Sequence, residues 1–214
     1  MGNNRGRWMI NLGLLLIAAA LYLSVYNLDQ ARQASESAEE VIEQMCQTLP
    51  TLPEAAPGEE TEEANLPDYV RNPEKEMPVQ TVNGQDYIGV LEIPVLELEL
   101  PIISQWSYPR LKIAPCRYSG SIYSADMVIA AHNYSTHFGK LKTLSQGDRV
   151  VFTDMDGNVF SYQVAALETL QPMASEEMKS GDWDLTLFTC TIGGKSRVTV
   201  RCVREEGTVL YDKK

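Results

Sequence analysis

The chain has 214 residues, 44% of them apolar, and a formal net charge of −11, a size that suits one domain with appendages. The charge is unevenly placed: residues 29–80 carry 13 acidic and 3 basic side chains, a balance of −10, residues 1–28 contribute +2, and 81–214 are left with −3. No basic stripe is available to neutralise phosphates, which excludes nucleic acid as a partner, and the acidity of 29–80 says nothing of what the rest of the chain acts on.

Residues 8–26 hold 19 positions without a charge, long enough to cross a bilayer as a helix. Arg5 and Arg7 precede them and Asp29 follows, so the positive-inside bias puts residues 1–7 in the cytoplasm and everything after 26 outside. Ala18, Ala19 and Ala20 offer a cleavage site to a signal peptidase, but the apolar run continues through Leu21, Tyr22, Leu23 and Val25, which favours an uncleaved, single-pass membrane anchor. Residues 27–47 are polar and helix-compatible, with Ala31, Ala34, Ala38, Val41, Ile42 and Met45 mostly three or four apart. This is either a stalk continuing the anchor helix or a face that packs on a neighbour. Six prolines among many glutamates in 48–80 then argue against helix and core alike and predict an extended linker, so that 27–80 reads as acidic helical stalk plus Pro/Glu-rich linker.

The folded domain is predicted over 81–214, with its first strand near Asp86. Residues 87–102 alternate apolar and polar around Pro94, which predicts two short strands joined there. Further strands are predicted at 126–131, 149–154, 159–167, 186–190 and 197–203, with a turn at Asp156, Gly157 and Asn158. Short strands with regular turns and little helix between them point to a mainly β domain, a small antiparallel or mixed barrel.

The last two strands form a hairpin-like pair about Gly193 and Gly194, with Cys190 ending one strand and Arg197 starting the next. The thiolate is the reactive form of cysteine and a nearby cation favours it; a guanidinium also offers a fixed fork of donors to a developing oxyanion. A lone cysteine at a strand end is nonetheless more often a small buried apolar residue. His132 and His137 are the two histidines, and His132 directly follows the apolar strand 127–131, a good place from which to enter a cleft. The five-residue spacing, with no cysteine pair or ordered carboxylates, argues against a metal centre, and no cofactor is called for.

Thr186, Leu187, Thr189 and Cys190, followed by Arg197, closely resemble the Thr-Leu-x-Thr-Cys signature of sortases, the cysteine transpeptidases of Gram-positive cell surfaces. Ile88 to Pro94 with Leu98 and Leu100 to Ile102 resemble the opening strands of that family, Val128 to Asn133 with Phe138, Leu141 and Leu144 its histidine segment, and Gly147 to Phe152 with Tyr162 to Val164 its middle strands. The resemblance runs in the family's order over 86–201. It implies a sortase-type eight-stranded β-barrel with short helices behind the transmembrane helix and stalk. It further implies Cys190 as nucleophile, His132 as general acid and base, and Arg197 as the substrate-positioning, oxyanion-stabilising arginine. Arg201 competes for the last role, but four residues along a strand displace it by roughly 13 Å.

The activity so implied is cleavage of a Leu-Pro-x-Thr-Gly-like sorting signal on surface proteins through a Cys acyl-enzyme, and transfer to an amine of the cell wall or a pilin. The alternatives are a cysteine endopeptidase in which water takes the acyl group, and a non-catalytic peptide-binding module. Thr189 and Thr191 flank the nucleophile, either shaping the groove or serving as ordinary strand residues. Ala131 stands where many sortases have Gly, which matters only if the backbone needs positive φ. Cys116 and Cys202 offer a possible disulfide and Cys46 a possible cross-link between chains. The interval 167–185 is too short for the long inserted helix of class B enzymes, which leans towards a class A or D-like architecture.

Overall fold

The computed structural model describes residues 4–48, 67–72, 74–191 and 193–205, and within the first segment the side chains of 7–45. Most of the expected Pro/Glu-rich linker and the side chain of Cys46 lie outside the described residues. Nine strands form one sheet: β1 (Gln80–Val82), β2 (Gln85–Ile93), β3 (Leu98–Ile103), β4 (Cys116–Ser119), β5 (Met127–Ala131), β6 (Arg149–Asp154), β7 (Val159–Leu170), β8 (Leu185–Cys190) and β9 (Arg197–Arg204). The helices are α1 (Asn4–Thr48), α2 (Asp68–Arg71), α3 (Tyr108–Leu111) and α4 (Ser175–Lys179), with 3-10 turns at Pro94–Leu96 and Phe138–Thr143.

The strand order β2-β3-β4-β5-β8-β9-β7-β6 closes through a β6–β2 pairing into an eight-stranded barrel, and β1 extends the edge of β2 beyond β6. Closure removes the exposed edges that an open sheet of this size would present. Two of the neighbour pairs, β3–β4 and β5–β8, are parallel; the rest are antiparallel.

Alternation along the strands sorts side chains into two apolar clusters, one on each side of the wall. Ile88, Leu91, Ile129, Phe152, Leu187 and Val200 fill the barrel interior. Tyr87, Val90, Ile103, Cys116 and Ala130 point outward and are covered by Leu111 of α3 and by Val41 and Met45 of α1. Gly89 lies where the β2–β3 register shifts, and a Cβ there would collide with the Thr153 carbonyl and the Phe152 ring, so the close approach of β2 and β6 depends on it. Cys116 and Cys202, whose pairing the sequence left open, are free thiols in different clusters with the barrel wall between them.

α1 runs unbroken from the apolar stretch into the polar one. Large apolar side chains from Trp8 to Leu28 are exposed, and this helix is long and apolar enough to cross a membrane. Ala34, Ala38, Val41 and Met45, at spacings of four, three and four, form one buried face against the barrel. Burial of Val41 and Met45 favours docking by about 1.5–3 kcal/mol each. The polar helix is therefore packed on the barrel rather than merely solvated.

Residues 67–80 also lie on the barrel: Tyr69 stacks on Tyr123 with ring centroids 4.9 Å apart, Met77 is buried, and Lys75 sits 3.0 Å from Asp68. Two strands lie outside the predicted set. β1 is turned into β2 by Asn83 and Gly84, both at positive φ, and β4 follows Pro115.

Candidate active site

β5 and β8 run parallel with Ala131 opposite Thr189, and β8 and β9 run antiparallel with Cys190 opposite Arg197. His132 and Cys190 each lie one residue past the Ala131–Thr189 pair. Because Ile129, Leu187 and Val200 point inward, the alternation places His132, Cys190 and Arg197 together on the outer face of the wall at one end. Three adjacent strands at about 4.8 Å spacing put the three backbones within roughly 10 Å of one another.

Each residue is held locally. Thr189 is buried and its hydroxyl donates to the Ala131 carbonyl over 2.8 Å, fixing β5 to β8 directly beneath His132 and Cys190. Thr191 organises the turn that delivers Arg197: its N–H donates to the Ser196 carbonyl (2.9 Å), its hydroxyl oxygen accepts from the Ser196 N–H (3.1 Å), and its carbonyl accepts from Gly194 N–H (2.8 Å). Gly193 and Gly194 take positive φ there, a conformation that would strain other residues. Arg197 Nη1 donates to the Gly194 and Ser196 carbonyls at 3.3 Å, and among the described residues its hydrogen bonds use that nitrogen alone. Ala131 lies in β5 without positive φ, so its side chain carries no backbone penalty.

His132 is half-buried at the mouth of its loop. Burial, and then the charge of Lys112, hold its imidazole below the ordinary histidine range, which favours the neutral ring. The other histidine behaves differently: His137 is 0% exposed, neither ring nitrogen has a hydrogen-bond partner among the described residues, and burial pushes its pKa down to about 4. Its proton affinity in the fold is thus lower than in the unfolded chain, so between about pH 6.5 and 4 the unfolded state binds more protons. Stability is expected to fall by about 3 kcal/mol across that window as the pH drops. Asp154, whose carboxyl burial lifts, acts in the opposite sense. Urea unfolding of wild type against His137→Phe at a series of pH values isolates the histidine; the variant's curve is expected to be flatter below pH 6.5.

Arg201 is 3% exposed and fully engaged away from this end: Nε bonds Glu168 Oε2 at 3.1 Å, Nη1 donates to the Met178 carbonyl (2.8 Å) and Thr186 Oγ1 (3.1 Å), and Nη2 donates to the Glu177 carbonyl (2.7 Å). It fastens α4 to β8 and β9.

On the same outer face, two residues before Cys190, Phe188 begins an aromatic row that the sequence reading missed. Its ring meets Tyr118 edge-on at 5.3 Å, Tyr118 meets Trp106 at 5.4 Å, and Lys179 of α4 lies 5.6 Å over Tyr118. Trp106, Arg117 and Tyr118 line a groove of about 400 Å³ beside that row. A cavity of about 490 Å³ between α1 and the β2–β3 corner touches Ser135 and Thr136 but none of the three converging residues.

A family model for the sortase domain matches residues 91–205, more than half of the chain. The chain belongs to the sortase family. No curated protein sequence matches it. Among solved structures, sortase C1 of GBS pilus island 1 is 25% identical, with 60% of this chain and 66% of that one covered and a TM-score of 0.51. Streptococcus pneumoniae sortase C is 26% identical, with 61% and 74% covered and a TM-score of 0.51. Streptococcus agalactiae sortase C1, 24% identical with 59% and 72% covered and a TM-score of 0.52, shares the fold. The lean towards class A or D rested on the short β7–β8 interval, and that interval does hold only the five-residue α4 in this sortase. The solved sortases just described are nevertheless named sortase C. The closed eight-stranded barrel is the sortase architecture expected from the motifs.

Proposed function

We propose that this chain is a membrane-anchored sortase transpeptidase that cleaves a Leu-Pro-x-Thr-Gly-like sorting signal and passes the acyl group to an amine. Residues 1–7 are cytoplasmic, 8–26 span the membrane, 27–80 form the stalk and linker, and the catalytic domain, 81–214, lies outside the cell. The observation that carries the proposal is the convergence of Cys190, His132 and Arg197 on one face at one end of β5, β8 and β9.

In this reading the Cys190 thiol passes its proton to His132 as the sulfur attacks the threonine carbonyl carbon, and the negative charge on the carbonyl oxygen is met by the Arg197 guanidinium. The carbon–nitrogen bond then breaks and His132 gives its proton to the departing amine, leaving a thioester on Cys190. An incoming amine attacks the thioester, surrenders a proton to His132 and expels the thiolate. The aromatic row from Phe188 to Trp106 is suited to the extended chain on the non-reacting side, since prolyl and apolar side chains pack well on aromatic faces. The acceptor is an amine of a cell-wall precursor or of a pilin; two of the similar structures carry pilus or pilin in their descriptions, which favours the pilin.

Product analysis tests the transfer step. With a Leu-Pro-x-Thr-Gly peptide and hydroxylamine, the expected product is the hydroxamate of the Leu-Pro-x-Thr fragment at the expense of free acid. Free acid alone, at saturating hydroxylamine, would mean that water is the acceptor and the enzyme is an endopeptidase. No cleavage of a sorting-peptide panel would leave a binding module.

A further inference from the structure

The general base of a nucleophilic site is ordinarily oriented by a third group that bonds its far nitrogen. Among the described residues His132 has no such hydrogen bond. Its ring is instead stacked on Tyr134, with centroids 4.9 Å apart and planes 27° from parallel. Tyr134 in turn meets the buried His137 at 5.5 Å.

The loop that carries Tyr134 is fastened at both ends. β5 holds Ala131, and Phe138 is buried in the barrel interior, its N–H donating to the His132 carbonyl (3.1 Å). The Tyr134 carbonyl accepts from the N–H groups of His137 (3.0 Å) and Gly139 (2.9 Å). A Cβ at Gly139 would stand 2.6 Å from the Asn133 carbonyl oxygen and 2.7 Å from that of Tyr134, so the loop closes this tightly only over glycine. Between those ends the loop leans on α1. Thr136 Oγ1 donates to the Ala31 carbonyl over 3.2 Å, and the Tyr134 phenol, raised chiefly by burial, also feels the Tyr26 phenol. Ala34, one turn further on, is buried in the docked face of the helix. Ala31 lies five residues, about 7.5 Å along the axis at 1.5 Å per residue, beyond Tyr26, the last residue of the apolar stretch, so the Thr136 bond falls just past that stretch.

We propose that Tyr134 is the positioning residue for His132, and that the docked part of α1, by holding residues 133–137, is a structural component of the active site rather than a spacer. This rests on the proposed role of His132. It makes the anchor helix and the catalytic base one mechanical unit: lifting α1 releases the loop, and the imidazole loses the face that sets its angle to Cys190.

The test uses the full chain in nanodiscs. It has two histidines, so selective 13Cε1 labelling gives two resonances, and that of His132 reports the ring current of Tyr134 and the titration of the imidazole beside Lys112 and His137. Tyr134→Ala and Ala34→Arg are expected to move the His132 resonance and its midpoint and to lower kcat for a Leu-Pro-x-Thr-Gly peptide roughly tenfold to a hundredfold, with KM within about twofold. Tyr134→Phe, which keeps the ring, is expected to match wild type. Thr136→Val removes the bond to Ala31 without a bulky intrusion and is expected to give a smaller change of the same kind; it replaces Ala34→Arg should that chain not fold. An unmoved His132 signal in Tyr134→Ala, or a moved signal with wild-type kcat, overturns the proposal. If wild type turns over no peptide, the transpeptidase reading fails, and the resonances alone decide whether the stack and the helix hold the ring.

Discussion

Cys190→Ala is expected to leave a folded chain whose turnover of a Leu-Pro-x-Thr-Gly peptide is lower by about 10^4-fold or more, because no acyl-enzyme can form without the sulfur. The other described thiols are poor substitutes. Cys116 and Cys202 are buried, and burial pushes each up to about 12, so neither supplies thiolate at neutral pH nor reaches solvent. Cys190, half-buried at the open end of β8, is the one described cysteine with both access and a cation opposite it in register. Steady-state turnover measures the loss, and an unchanged thermal midpoint shows that it is chemical. Retention of more than a few per cent of the rate would remove Cys190 from the mechanism.

Arg197→Lys is the second large effect, an expected loss of about 10^2–10^3 in kcat with little change in stability. Lysine keeps the charge but replaces a planar fork of five donors with a single mobile ammonium. Arg197 Nη1 rests on the Gly194 and Ser196 carbonyls, and the other guanidinium donors make no hydrogen bond among the described residues. Lysine cannot span the turn and an oxyanion at once. Arg201→Lys gives the contrast: its contacts are to α4, Thr186 and Glu168, so its cost is expected in the thermal midpoint before it appears in kcat. Equal kcat for Arg197→Lys and wild type would exclude the guanidinium from the reaction.

The parts of the fold that were legible in the sequence are those where local pattern and tertiary role agree. β8 and β9 alternate cleanly, and two glycines mark the turn, so the opposition of Cys190 and Arg197 follows from counting residues back from it. β6 was readable to the residue, with the Asp156-Gly157-Asn158 turn marking its end. β4 was not: four residues after a proline, paired with β3 through one bridge, show too few alternations to register. β1 was overlooked although Asn83-Gly84 is a strong hairpin signal, since the proline-rich composition before it argued for a linker.

The docking face of α1 was visible as alanines three and four apart, but what it packs against is a property of the closed barrel. The same holds for the support of the site. Tyr134 is an ordinary loop tyrosine in sequence, and only the fold brings it over His132 and against α1. Phe188, Tyr118 and Trp106 come from three separate segments, and no spacing along the chain announces the row they form.

The proposal that His132, Cys190 and Arg197 act together on one peptide carbonyl is tested most directly by mapping the acyl group. The full chain is incubated with sorting peptides, quenched in acid and digested with trypsin. The expected result is the mass of a Leu-Pro-x-Thr acyl group on the 180–195 fragment that contains Cys190, absent from Cys190→Ala and accumulating in His132→Ala only slowly. Peptide cleavage with the acyl group on another cysteine, or with no acyl group on the chain at all, would contradict it.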